Sequence, residues 1–161
     1  ITQLLDEGAI DAFIAPRPPG AQALSNPAVG WLFDDPTDVA KQYYRQKKVF
    51  PIMHVVGIRN ELAEQHAWLP GAVLKAFTLA KKVALDHLND TSATKVTMPF
   101  VEEQLLAARM LMGDDYWSYG IANNEATLET FLRYHHSQGL SSRQVSLKEL
   151  FHPATYESYS I

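Results

Sequence analysis

The sequence predicts an α/β fold, with strands and helices mixed up to Ile58 and helices dominating after it. Two observations carry that expectation. Residues 50–58 are apolar and largely β-branched apart from His54, with Pro51 in front and Arg59-Asn60 behind, which is the pattern of a buried strand. From Leu69 onward, Val73, Ala76, Phe77, Ala80, Ala84 and Leu88 recur at spacings of three and four, while Lys75, Lys81, Lys82 and Asp86 fall off that stripe.

Taken in order, Ile1 to Glu7 reads as the end of a helix closed by Gly8, and Ala9 to Ala15 as a short strand. Pro16-Arg17-Pro18-Pro19-Gly20 must be irregular, because three prolines remove three backbone donors. Val29 to Phe33 is a second candidate strand. Asp35 is placed to cap a helix whose first residue is Pro36 and which runs to about Lys47, with Val39, Ala40, Tyr43 and Tyr44 as its apolar or aromatic positions. The strand of His54 follows, then a short helix from Asn60 and a long one from about Pro70 to Asn89, with Val73, Phe77, Ala80 and Ala84 expected to be buried. Asn89 to Lys95 is a polar linker. Thr97-Met98-Pro99 opens a helix that ends at Gly113, Asp114 to Asn123 is a loop dense in aromatic residues, and Glu125 to Gln138 is a helix stopped by Gly139. Ser146 and Glu149 have the spacing of a capping box for a last short helix.

Bulk properties narrow the function classes. A chain of 161 residues with 47% hydrophobic and 20% charged residues has enough apolar material for one ordinary domain and is not a disordered composition. A net charge of −4 without runs of like charge argues against nucleic acid or an anionic membrane as partner. No apolar stretch approaches the ~20 residues of a membrane span. Without cysteine there is neither a disulfide framework nor thiolate chemistry, so the redox compartment is not marked. The chain opens without Met or a signal-like segment and is expected to start within a longer protein.

Few side chains suggest chemistry. Arg17, on a proline-stiffened loop, either clamps a carboxylate through its planar guanidinium or is a solvated arginine on a turn. His54 is either a proton donor or acceptor near neutral pH, or a metal ligand, or a core histidine satisfied by its neighbours. Tyr116, Trp117 and Tyr119 either wall a planar ligand or anchor their loop on the core. Tyr44, close in sequence to the His54 strand, is a candidate phenol for a cleft. His135 and His136 are adjacent and diverge by about 100° on a helix, so they do not make a zinc pair. A phosphate loop, a Gly-x-Ser-x-Gly elbow and a Cys-His nucleophile are all missing from the sequence, so covalent catalysis has no support.

Several blocks resemble the 4,5-dihydroxyphthalate decarboxylases, relatives of type II periplasmic solute-binding proteins. They are Gly8-Ala9-Ile10-Asp11-Ala12 with Ala15-Pro16-Arg17-Pro18-Pro19, then Met53-His54, then Tyr116 to Gly120, Leu128 to Leu140, and Glu149-Leu150-Phe151-His152-Pro153. The first alone is weak, since many solute-binding proteins carry it; Arg-Pro-Pro, Met-His and His-Pro together are more specific. The resemblance implies the C-terminal portion of a type II periplasmic-binding-protein-like fold. Residues 1–49 would finish one lobe, and residues 50–161 would supply a hinge strand and the helical part of the other, with the site in a cleft between lobes. It also implies an activity, the non-oxidative decarboxylation of 4,5-dihydroxyphthalate to protocatechuate and carbon dioxide in the cytoplasm. Within it, His54 and Tyr44 would be catalytic and Arg17, Trp117 and Tyr119 would bind substrate. No cofactor is expected, a metal requirement is undetermined, and the partners are an aromatic carboxylate and the N-terminal half of the same protein. The alternative is a periplasmic binding protein that delivers an aromatic acid or similar anion to a transporter.

Overall fold

Every regular element among the described residues is helical. The computed structural model describes residues 1–92 and 96–156, including all of their side chains except those of Gln22 and Ala23. The last residues of the expected polar linker, 93–95, lie outside them. The helices are α1 (Thr2–Asp6), α2 (Ala21–Ser25), α3 (Pro36–Lys47), α4 (Asn60–Gln65), α5 (Leu69–Asn89), α6 (Val101–Met112), α7 (Glu125–Ser137) and α8 (Leu147–Leu150), with 3₁₀ turns at Ala122–Asn124 and Pro153–Thr155.

The expected α/β fold is therefore corrected: no β-strand occurs among the described residues. Residues 9–15 are bends and coil that begin by folding back on α1, the amides of Ala9 and Ile10 both donating to the Leu4 carbonyl. Residues 29–33 and 48–59 are likewise irregular. The His54 segment is not buried, since Met53 is 71% and Val55 70% exposed. β-Branched composition only makes a segment suited to a pleated sheet; a strand also requires a neighbour to take its backbone donors and acceptors, and no ladder partner is present among the described residues.

Helix ends follow their local chemistry. Asp35 Oδ1 accepts the Asp38 amide at 2.9 Å, the cap that starts α3 ahead of Pro36. Gly8 and Gly113 take φ of 71° and 91° after α1 and α6, where a side chain would be strained. α6 begins at Val101 rather than at Thr97-Met98-Pro99, because Phe100 stands in the left-handed region with φ 64°. At α8, both the backbone amide and the hydroxyl of Ser146 donate to Glu149 Oε2, at 2.9 and 2.8 Å, and Arg143 pairs with the other carboxylate oxygen at 2.7 Å. These bonds hold the Glu149 carboxyl down at about 2 instead of 4.5, with the Ser146 amide as the largest cause.

The long helix is present over its predicted length but turned. Phe77 is 48% exposed, Ala80 and Ala84 are exposed, and Val73 is half-buried. The covered face carries Gly71, Leu74, Thr78, Lys81, Leu85 and Leu88. Leu74, Thr78, Lys81 and Leu85 each follow the expected Val73, Phe77, Ala80 and Ala84 by a single residue, about 100° around the helix, and Leu88 belongs to both stripes. Both faces of α5 are apolar enough to serve, and the helix packs against α4 and the Pro153–Thr155 turn. Among the described residues, the buried hydrophobic side chains are Leu128 and Leu132, both on the inner face of α7.

The chain divides into two compact units, Ile1–Ala40 and Lys41–Ile161, the division falling within α3. In the first, α1 packs on α2, and the Asn26 amide ties them by donating to the Asp6 side chain at 2.8 Å and to its carbonyl at 3.1 Å. In the second, α5 is the organising helix. The Pro153–Thr155 turn against it is built by His152, whose Nδ1 accepts the Ala154 amide at 3.2 Å and whose carbonyl accepts the Thr155 hydroxyl at 2.7 Å.

Candidate functional site

Within the second unit, three segments meet around the aromatic loop that joins α6 to α7. Asp115, Trp117 and Tyr119 are alternate residues of that loop, and all three turn toward Lys81 on α5. The Lys81 ammonium donates to Asp115 Oδ1 at 2.7 Å and to the Trp117 carbonyl at 3.1 Å, and it lies 5.1 Å from the centre of the Tyr119 ring. At the far end of the loop the Asn124 amide donates to the carbonyls of Ser118 and Gly120 at 3.1 and 2.8 Å, while the Ser118 hydroxyl donates to Asn124 Oδ1 at 3.2 Å. Gly120, at φ 82°, makes the turn that brings these carbonyls to one amide. The Tyr116 hydroxyl is buried and finds no hydrogen-bond partner among the described residues.

Trp117 is half-exposed, and the edge of its ring meets Phe50 with centroids 5.9 Å apart at 65°. Phe50 lies near the start of the irregular segment that carries His54 four residues later, so the loop contacts that segment close to its beginning. The His54 imidazole itself is exposed. Placement on a rigid buried strand, the premise of both the functional and the core-histidine expectations, does not hold. Tyr44 is half-buried on α3, with the Lys48 ammonium 5.3 Å from its ring centre. Arg17 belongs to the first unit; it is exposed on the proline loop, and no carboxylate among the described residues pairs with it.

The structure thus brings together Trp117 and Tyr119 and adds Lys81 and Phe50, which spacing alone did not single out. Lys81 counted as one of the polar residues off the apolar stripe; with the face of α5 turned by one residue, it becomes a covered lysine with 14% of its side chain exposed. A lysine in the middle of the stripe Leu74, Thr78, Leu85, Leu88 was the available signal. A separate depression of about 680 Å³ lies along α7 and residues 144–148, with Glu125, Glu129, Arg133 and Lys148 on its walls, and it contains none of the expected site residues. Among the described residues no group of three or more His, Asp or Glu side chains is arranged to hold a metal ion, and no helix is long and apolar enough to cross a membrane.

No family model matches the chain. It is, however, 53% identical over all 161 residues to a 4,5-dihydroxyphthalate decarboxylase from Comamonas testosteroni. The resemblance read from the blocks around Arg17, His54 and His152 is real and extends over the whole chain. The chain spans about half, 49%, of the length of the Comamonas enzyme. The relative so named is an enzyme rather than a transporter component.

Proposed function

We propose that the full-length protein to which this chain belongs decarboxylates 4,5-dihydroxyphthalate to protocatechuate and carbon dioxide. The observation that carries the reading is the 53% identity along all 161 residues to a decarboxylase of that name. The chemistry asks little of a site. A ring hydroxyl para to the departing carboxylate gives up its proton, its electron pair moves into the ring, and the carbon bearing that carboxylate accepts a proton from a general acid. The carbon–carbon bond then breaks, carbon dioxide leaves, and aromaticity returns. One dihydroxyphthalate gives one protocatechuate and one carbon dioxide, with no oxidant or reductant consumed.

The groups of this chain suited to those tasks are few. Arg17 presents an exposed guanidinium whose fork matches the retained carboxylate. Tyr44, as phenolate, accepts the hydroxyl proton, and the accessible imidazole of His54, as imidazolium, gives a proton to the ring carbon. Trp117 and Tyr119 supply faces for the planar ring. Incubating the full-length protein with 4,5-dihydroxyphthalate tests the reading: carbon dioxide and protocatechuate should appear in equal amounts, and tight binding of the acid without turnover would instead favour a solute-binding role.

A further inference from the structure

The Lys81 contacts have a geometry that a casual surface ion pair does not. The side chain is largely covered, whereas its partner Asp115 is 49% exposed. Three acceptors of different kinds, a carboxylate, a backbone carbonyl and a ring face, come from residues 115, 117 and 119 and converge on one ammonium. A compact ammonium with three rotatable donors serves three divergent acceptors; a planar guanidinium would not. The loop between α6 and α7 has no strand or helix of its own through residue 121, only a turn at 114–117, and two clasps fasten it: the Asn124 amide at one end and Lys81 at the other.

We propose that Lys81 is a positioning residue that locks the 114–121 loop onto α5 and thereby sets the placement of the Trp117 and Tyr119 rings that receive the aromatic substrate. This rests on the assignment of those two rings to substrate binding under the decarboxylase reading. Lys81 touches no reacting atom in this scheme. Its action runs through the Trp117 carbonyl and the Tyr119 face, and, through the Phe50–Trp117 contact, to the start of the segment bearing His54.

The test uses the full-length protein and the variants Lys81→Met, Lys81→Arg and Asp115→Asn. Lys81→Met should raise KM for 4,5-dihydroxyphthalate about tenfold, the equivalent of one partly covered ion pair, with kcat falling much less. Lys81→Arg keeps the charge but not the triple geometry and should fall between. Amide hydrogen exchange over 114–121 should quicken in both Lys81→Met and Asp115→Asn; the latter removes the same pair from its exposed side and decides the matter should Lys81→Met fail to fold. In a Trp117→Leu background, Lys81→Met should add little to KM, because its effect passes through that ring. An unchanged KM and unchanged loop exchange in both variants would overturn the proposal, as would an effect of Lys81→Met that adds in full to Trp117→Leu. If the unaltered protein releases no carbon dioxide, the decarboxylase reading fails by itself. Lys81 is then judged by loop exchange and by the affinity for phthalate and protocatechuate, with the same signs expected.

Discussion

At the scale of the residue, Arg17 stands exposed on its proline-rich loop, and no carboxylate among the described residues pairs with it. His54 was expected in a buried strand, and its neighbours Met53 and Val55 are largely exposed. Sequence pattern reports what a segment would prefer to pack against; it does not supply the partner. Lys81 was passed over because a lysine off an apolar stripe ordinarily faces water. The proposed roles separate kinetically. Arg17→Lys keeps the charge but loses the bidentate fork, so KM for the dicarboxylate should rise roughly ten- to a hundredfold with kcat little changed. His54→Gln should lower kcat by a factor of about 10²–10⁴, the usual weight of a positioned proton donor, and flatten its pH dependence. Full activity in His54→Gln with an unchanged pH profile would remove this histidine from the chemistry.

Among the elements, helices with local start and stop chemistry were legible and everything that depended on distant pairing was not. α3 with its Asp35 cap, α5, α7 and the Ser146–Glu149 box all lie where their signals put them, because caps and helical periods are settled within a few residues. The strands at 9–15, 29–33 and 50–58 failed for lack of a ladder partner, and α2 was missed because Ala21–Ser25 carries neither a cap nor a stripe. α5 shows a subtler limit: two apolar faces one residue apart give one period and two possible phases. The buried phase has an energetic signature. Leu128→Ala, in the covered face of α7, should cost about 2–5 kcal/mol in denaturant unfolding, while Phe77→Ala at half exposure should cost less than about 2. Equal losses would restore the original phase of α5. At α8, the depressed Glu149 carboxyl makes the capping box sensitive to acid. Its folded value, about 2, lies below its ordinary 4.5, so the stabilisation is complete above pH 4.5 and is lost as pH falls toward 2. Exchange of the Ser146 amide should quicken across that window. A Glu149→Gln variant, whose side-chain oxygen still accepts but does not titrate, should show no such change.

For the molecule as a whole, the functional reading and the packing point the same way. The chain corresponds to 49% of the length of the Comamonas decarboxylase it resembles. Among its described residues the buried hydrophobic side chains are Leu128 and Leu132, while Phe77, Val83, Leu106 and Met110 stand exposed on α5 and α6. Catalysis of proton transfer to a ring carbon draws most of its power from donors held in fixed geometry away from water. Here the His54 imidazole is exposed on an irregular segment. Of the groups proposed for the reaction, Arg17 and His54 stand exposed, without the enclosure that would make them effective. Purified residues 1–161 should therefore release no measurable carbon dioxide from 4,5-dihydroxyphthalate under conditions where the full-length protein does, and Lys81→Met, Arg17→Lys and His54→Gln should be informative only in the latter. Turnover by the 161-residue chain at a rate within about tenfold of the full-length protein, less than 1.4 kcal/mol in barrier, would show that the site is complete within this half and that its exposed faces serve some other purpose.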